Sequence, residues 1–153
     1  MKQLNLFEDK ATISFGGELL KHKRKSARPL HARKALHIVL RVEDSRCGSL
    51  LFNKSFIESI IITYARRFGI FIYSQAVVSN HIHLLIRFTQ RKCYKYFIRS
   101  ISGILAKRLG LKWSHRPFTR VVNFGKDFDI AKDYVIQNEL EANGVIPYQP
   151  RKK

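Results

Sequence analysis

The chain is short of cysteine, short of acid and free of long apolar runs, and each shortage excludes a class of protein. Two cysteines occur among 153 residues, Cys47 and Cys93, and they show no ligand-pair spacing. They give no sign of a paired-cysteine metal site, and a reduced, cytoplasmic setting is expected. No segment approaches the roughly 18 apolar residues of a membrane-spanning helix. No basic start leads into an apolar h-region, so neither a membrane span nor a secretion signal is expected. Internal repeats are absent, as are linker-like stretches inside the body. What remains is most simply one domain, long enough to bury a real core. Acid is the most telling shortage: 11 Asp and Glu stand against 29 Lys and Arg, for a formal net charge of +18. Such an excess opposes compactness and favours polyanions, which makes nucleic acid the first partner to consider.

What is present falls into three parts. Residues 1–34 read as a basic, flexible tail; within it "KHKRKSARPLHARK" (21–34) holds seven Lys and Arg and no acid. Residues 35–148 form the body, and 149–153 a short C-terminal tail. In the body, "ALHIVLRV" (35–42) is β-branched and strand-like. "NKSFIESIIITYARRFG" (53–69) carries Phe56, Ile60, Tyr64 and Phe68 at the spacing of one helical face and closes on Gly69. "IFIYSQAVV" (70–78) and "HIHLLIRF" (81–88) are two strands joined at Ser79-Asn80, a hairpin signal. A second helix spans 93–110, a further strand 118–124 and a last helix 129–144, opened by acidic residues. Strand, helix, strand, strand, helix, strand, helix predicts an α+β fold. It is a ferredoxin-like (RRM-like) antiparallel sheet in βαββαβ order, helices on one side, with an added C-terminal helix.

The chemistry begins with "SNHIHLLIRF" (79–88). Residues i and i+2 of a strand share a face, so His81 and His83 project side by side while Ile82, Leu84 and Ile86 turn to the core. Two neutral imidazoles so placed can ligate one metal ion. Taken alone, the doublet is more often a half-buried sheet feature, since two ligands fall short of a closed structural site. An open site is nevertheless what metal-assisted chemistry needs. In the last helix Tyr134 and Asn138 are four apart and share a face. An Asn carbonyl can be a third ligand, and a Tyr beside a cation a nucleophile, although its phenol ionises only near pH 10 and needs help.

Together these residues match a known pattern. Asn80-His81-Ile82-His83-Leu84-Leu85 resembles the "N-H-x-H-L-L" HUH signature of single-tyrosine transposases. Tyr134-(x)3-Asn138-(x)3-Ala142-x-Gly144 is similar to their "Y-x-x-x-N-P-x-x-A-G" helix, especially in the REP-associated tyrosine transposases. The order of elements, the length and "WSHRPFTRVV" from Trp113 are also similar, and the resemblance covers roughly residues 35–146. The chain departs at Val78-Ser79, where the family often has Met-Pro, at Glu139, where it often has Pro, and at Asn143 between Ala142 and Gly144. None of these removes a ligand or the nucleophile.

The resemblance implies a metal-dependent endonuclease and strand transferase in which His81, His83 and Asn138 hold Mg2+ (or Mn2+). Tyr134 attacks single-stranded DNA, leaving a 5′-phosphotyrosine link and a free 3′-hydroxyl. It further implies hairpin-forming DNA as ligand, and leaves monomer and homodimer both open. The alternative is a non-catalytic or domesticated single-stranded nucleic-acid-binding module on an RRM-like fold. The lack of a "G-F-G-F-V-x-F" aromatic strand counts against it. For DNA contacts the residues singled out are Arg91, Lys92, Lys95, Arg99, Arg116 and Arg120. "RKCYKYFIRS" (91–100) mixes cations with aromatics suited to phosphates and stacked bases. Near the start, "QLNLF" looks like a peptide that docks on the replication sliding clamp, with Gln3 and Leu4 leading into Leu6 and Phe7 for an apolar pocket. If so, Leu6→Ala with Phe7→Ala should abolish capture by purified clamp; unchanged capture would dispose of the idea.

Overall fold

The computed structural model describes residues 14–20, 26–43 and 48–151. Among these residues five strands and three α-helices follow one another: β1 (Ser14–Phe15), β2 (Ala35–Arg41), α1 (Lys54–Phe68), β3 (Phe71–Val77), β4 (His81–Arg87), α2 (Arg91–Leu109), β5 (Phe118–Val122) and α3 (Lys126–Ala142). The sheet order is β1-β5-β2-β4-β3, and every pairing is antiparallel. The βαββαβ unit and the added helix are as expected from the sequence.

Period-two alternation sorts the central strands between two layers. Leu36, Ile38 and Leu40 of β2 and Ile82, Leu84 and Ile86 of β4 enter the larger core, under α1 and α2. Residues of opposite parity, Ala35 and Leu85 among them, join Ala76, Val122, Ala131 and Val135 in a smaller core beneath α3. The expectation of helices on one side is therefore corrected: α3 lies on the other face. Both faces of β4 are apolar enough to be covered, which a one-sided reading of its alternation misses. In α1 the deepest residues are Ile57, Ile61 and Ala65, while Phe56 is exposed. The apolar arc is wide, and its centre lies one position beyond the 56-60-64-68 line.

Three local features place the site. Asp127, in the first turn of α3, accepts from the Asn123 backbone N–H (3.2 Å) and from Arg120 (3.1 Å), which starts the helix earlier than residue 129. Glu139 accepts from the Val77 N–H (3.2 Å) and pairs with Lys54 of α1. The departure at 139 thus ties the far end of α3 to both β3 and α1. The third feature is the strand β1, unforeseen because Ser14–Phe15 is only two residues long. It pairs with β5, and Arg28 anchors the segment by donating to Pro117 O and Thr119 Oγ1 (both 2.7 Å) while lying 4.6 Å from the Phe15 ring. Gly16, at φ 88°, lies so close to the Pro117 carbonyl that a Cβ would collide with it. The turn it permits carries Gly17–Leu20 to the edge of the cavity described next.

Candidate active site

On the α3 side of the sheet, β2 and β4 pair so that Val39 lies opposite His83 and Arg41 opposite His81. His37, two residues earlier on the same face of β2, reaches diagonally to His83. Its Nε2 is 3.1 Å from His83 Nδ1. The His81 and His83 rings are 4.6 Å apart. Tyr134 descends from α3 and meets His83 edge-on at 5.5 Å and His37 at 5.9 Å. A cavity of about 390 Å³ opens beside these rings, and His81, His83, Tyr134, Arg41, His115 and Arg116 contribute to its lining. The loop carrying His115 and Arg116 is held by Ser114, whose N–H and hydroxyl both donate to Arg41 O (2.9 and 3.1 Å), and by Trp113, whose Nε1 donates to Ser102 O. The segment "WSHRPF" is thus a wall of the cavity.

The structure accordingly brings His81, His83 and Tyr134 together within one chain. Asn138 sits one turn beyond Tyr134, and its amide Nδ2 donates to the Tyr134 carbonyl (2.7 Å), which leaves Oδ1 as the atom available for ligation. It is not among the residues that line the cavity. Arg116 lines the cavity; Arg120 is committed to Asp127. Lys92, Lys95 and Arg99 lie apart from the rings, around a second hollow of about 470 Å³ on α2 that includes Tyr94 and Tyr96. Arg91 donates to Arg28 O (2.8 Å). Residues 3–7 and Cys47 lie outside the described residues.

Two groups, His37 and Arg151, escaped the sequence analysis, and a third, Asn80, was read there only as part of a motif and a turn. His37 shares its parity with Ala35, Val39 and Arg41, so its outward placement was legible, but its meeting with His83 depends on strand register. Asn80 places its Oδ1 2.6 Å from His81 Nδ1. With that nitrogen donating, Nε2 of His81 carries the lone pair. Arg151, from the segment taken as a tail, lies 5.5 Å from the Tyr134 ring centroid and is fixed by two contacts from Nη1 to Glu141 (3.0 and 2.8 Å).

Electrostatics favour neutral imidazoles. Burial lowers the pKa of His37, with Arg120 adding to the effect. Burial also lowers that of His83, helped by His37, His81 and Arg151. His81 is lowered by burial and by Arg41. Neutral rings are the form that binds a metal. The donor set also fits a divalent ion. Nε2 of His83 is buried and has no hydrogen-bond partner, a costly state that a cation would relieve. Among the described residues no three His, Cys, Asp or Glu side chains form a metal-holding group. The fit is therefore to an open site of two imidazoles completed by other oxygen donors.

A stability prediction follows from these shifts. An unfolded histidine takes up a proton near pH 6.5, whereas native His37 and His83 do so only at lower pH. Below pH 6.5 the unfolded chain binds more protons, so stability falls as pH falls, by up to about 1.4 kcal/mol per pH unit for each ring. Urea midpoints of the metal-free protein should drop between about pH 7 and about pH 5. A midpoint unchanged across that range contradicts neutral burial.

Residues 32–131 of the chain match a transposase family. More narrowly, the chain belongs to the family described as "Transposase IS200 like", whose profile matches residues 32–131, including His37, His81 and His83 and ending before Tyr134. No curated protein matches it. Among solved structures, a REP-associated tyrosine transposase bound to a REP hairpin is similar at 19% identity and a TM-score of 0.65, covering 81% of this chain and 76% of that one. A provisionally assigned transposase from Deinococcus radiodurans aligns at 16% identity and a TM-score of 0.47, over 76% of this chain and 98% of that one.

Proposed function

We propose that the chain cleaves and rejoins single-stranded DNA, with Tyr134 as nucleophile and His81, His83 and Asn138 as ligands of a divalent ion. The observation that carries this reading is the approach of the Tyr134 ring to within 5.5 Å of His83, at the edge of a cavity the two share with His81. When bound, a divalent ion supplies Lewis-acid polarisation of the scissile phosphate. The protein does the rest. Tyr134 gives up its phenolic proton to water, and the Arg151 guanidinium lies 5.5 Å from the centroid of its ring. The oxygen attacks phosphorus. A Tyr134 Oη–P bond forms and the P–O3′ bond breaks, and the departing O3′ takes a proton to become a free 3′-hydroxyl. The phosphodiester energy stays in the 5′-phosphotyrosine, so a later 3′-hydroxyl reverses the step without ATP. Nε and Nη2 of Arg151 are buried beside the Tyr134 ring and have no hydrogen-bond partner.

DNA is held by dispersed cations. Lys92, Lys95 and Arg99 with the exposed Tyr96 offer phosphate contacts and aromatic surface around the α2 hollow, and Arg116 offers a phosphate contact at the cavity. Hairpin DNA is the ligand class proposed, because the similar REP-associated structure holds one. The test is a 5′- and 3′-labelled single-stranded hairpin oligonucleotide incubated with the protein and Mg2+. A covalent protein–DNA adduct that EDTA suppresses supports the reading. Tight binding with no cleavage under Mg2+ or Mn2+ would instead make the chain a binding module.

A further inference from the structure

We propose that His37 is a positioning residue: its Nε2 accepts the Nδ1–H of His83 and thereby aims the Nε2 lone pair of His83 at the divalent cation. The inference rests on the metal reading above and adds to it a residue from a different strand.

Ring geometry comes first. The two planes differ by 11° and the centroids are 5.4 Å apart. Since Nε2 and Nδ1 are 3.1 Å apart, the centroid separation is that distance plus about two ring radii. The rings therefore lie edge to edge in nearly one plane, where an in-plane N–H meets an in-plane lone pair. Face-to-face packing of two core rings would not produce this. Burial matters as well: His37 is 7% exposed and His83 3%, so water does not compete for the bond.

Direction is then fixed by what His83 can do with its other nitrogen. If His37 donates, His83 must carry its proton on Nε2, a buried N–H without an acceptor. If His37 accepts, Nε2 of His83 holds a bare lone pair in the same place. Without a cation the two tautomers leave one orphaned atom each. With a cation only the second is compatible, because a protonated Nε2 cannot ligate. His37 then does for His83 what Asn80 does for His81 through its 2.6 Å contact to Nδ1. Both ligands are thus supported from their far nitrogen, one by a neighbour in the loop and one across the sheet.

Mn2+ binding to the full chain without DNA, followed by electron paramagnetic resonance, tests this directly. His37→Leu removes the acceptor and should weaken Mn2+ binding about 10–100-fold, while His37→Gln, which can accept through Oε1, should stay within about threefold of the unaltered chain. Unaltered Mn2+ affinity in folded His37→Leu overturns the proposal and leaves the metal reading standing. No Mn2+ binding by the unaltered chain overturns both. Should the Leu variant fail to fold, ring nitrogen spectra of the unaltered chain with saturating Mg2+ decide. A protonated Nδ1 and bare Nε2 on His83 are expected; the reverse tautomer overturns the proposal.

Discussion

Tyr134→Phe should abolish the covalent protein–DNA adduct, lowering its rate of formation by more than about 10³-fold, while hairpin binding and thermal stability stay close to those of the unaltered chain. The substitution removes one oxygen and little else. The ring would keep its edge contacts with His37 and His83 and its place beside the Arg151 guanidinium, because these depend on the ring and not on the hydroxyl. DNA affinity should be spared because, on the proposed reading, it rests on many phosphate contacts spread over a +18 chain, with none reserved to the phenol. Denaturing gels of labelled hairpin read the adduct, gel shifts read the binding, and a melting curve reads the fold. Persistence of the adduct in Tyr134→Phe would remove Tyr134 as nucleophile. Tyr148 would then be next, being 74% exposed and 5.7 Å from the Arg151 guanidinium.

That prediction could be framed from sequence alone, and it is instructive why. Both parts of the site are local in sequence. His81 and His83 share a face because a strand repeats every two residues, and Tyr134 and Asn138 because a helix returns every three to four. The order of elements from β2 onward was likewise legible, since alternation, the Ser79-Asn80 turn and the closing glycines each spoke of a short stretch. What was not legible depends on contacts between distant stretches. His37 meets His83 only through the β2–β4 register, in which Val39 opposes His83. Arg151 reaches Tyr134 only because the chain after α3 turns back along Glu141. Placing α3 on the second face required knowing that Ala35, Ala76, Leu85 and Val122 together form an apolar floor, although each is unremarkable in its own strand. The departure at Glu139 had no stated purpose in sequence and gains one from Lys54 and the Val77 N–H.

The second large effect is expected at the histidines. His83→Ala and His81→Ala should each lower Mg2+-dependent cleavage by about 10²–10⁴-fold while hairpin affinity changes little, since each removes a proposed ligand and neither removes a proposed phosphate contact. The two variants should nevertheless differ. His83 is buried, bonded to His37 and in ring contact with His81, His37 and Tyr134, so its loss opens a hole and orphans His37 Nε2. His81 is more open and is bonded to Asn80 at the strand end, where water can replace the ring. Melting curves taken with and without Mg2+ separate ligation from packing. An ion at about ten times its Kd stabilises the native state by about 1.4 kcal/mol, a rise of about 3–5 °C for a chain of this size. The unaltered chain should show that rise and both variants should lose it; only His83→Ala should also melt lower in the absence of metal. If either variant keeps the Mg2+-dependent rise together with normal cleavage, that histidine is a sheet residue and not a ligand. The approach of Tyr134 to the two rings would then have to be explained by packing alone.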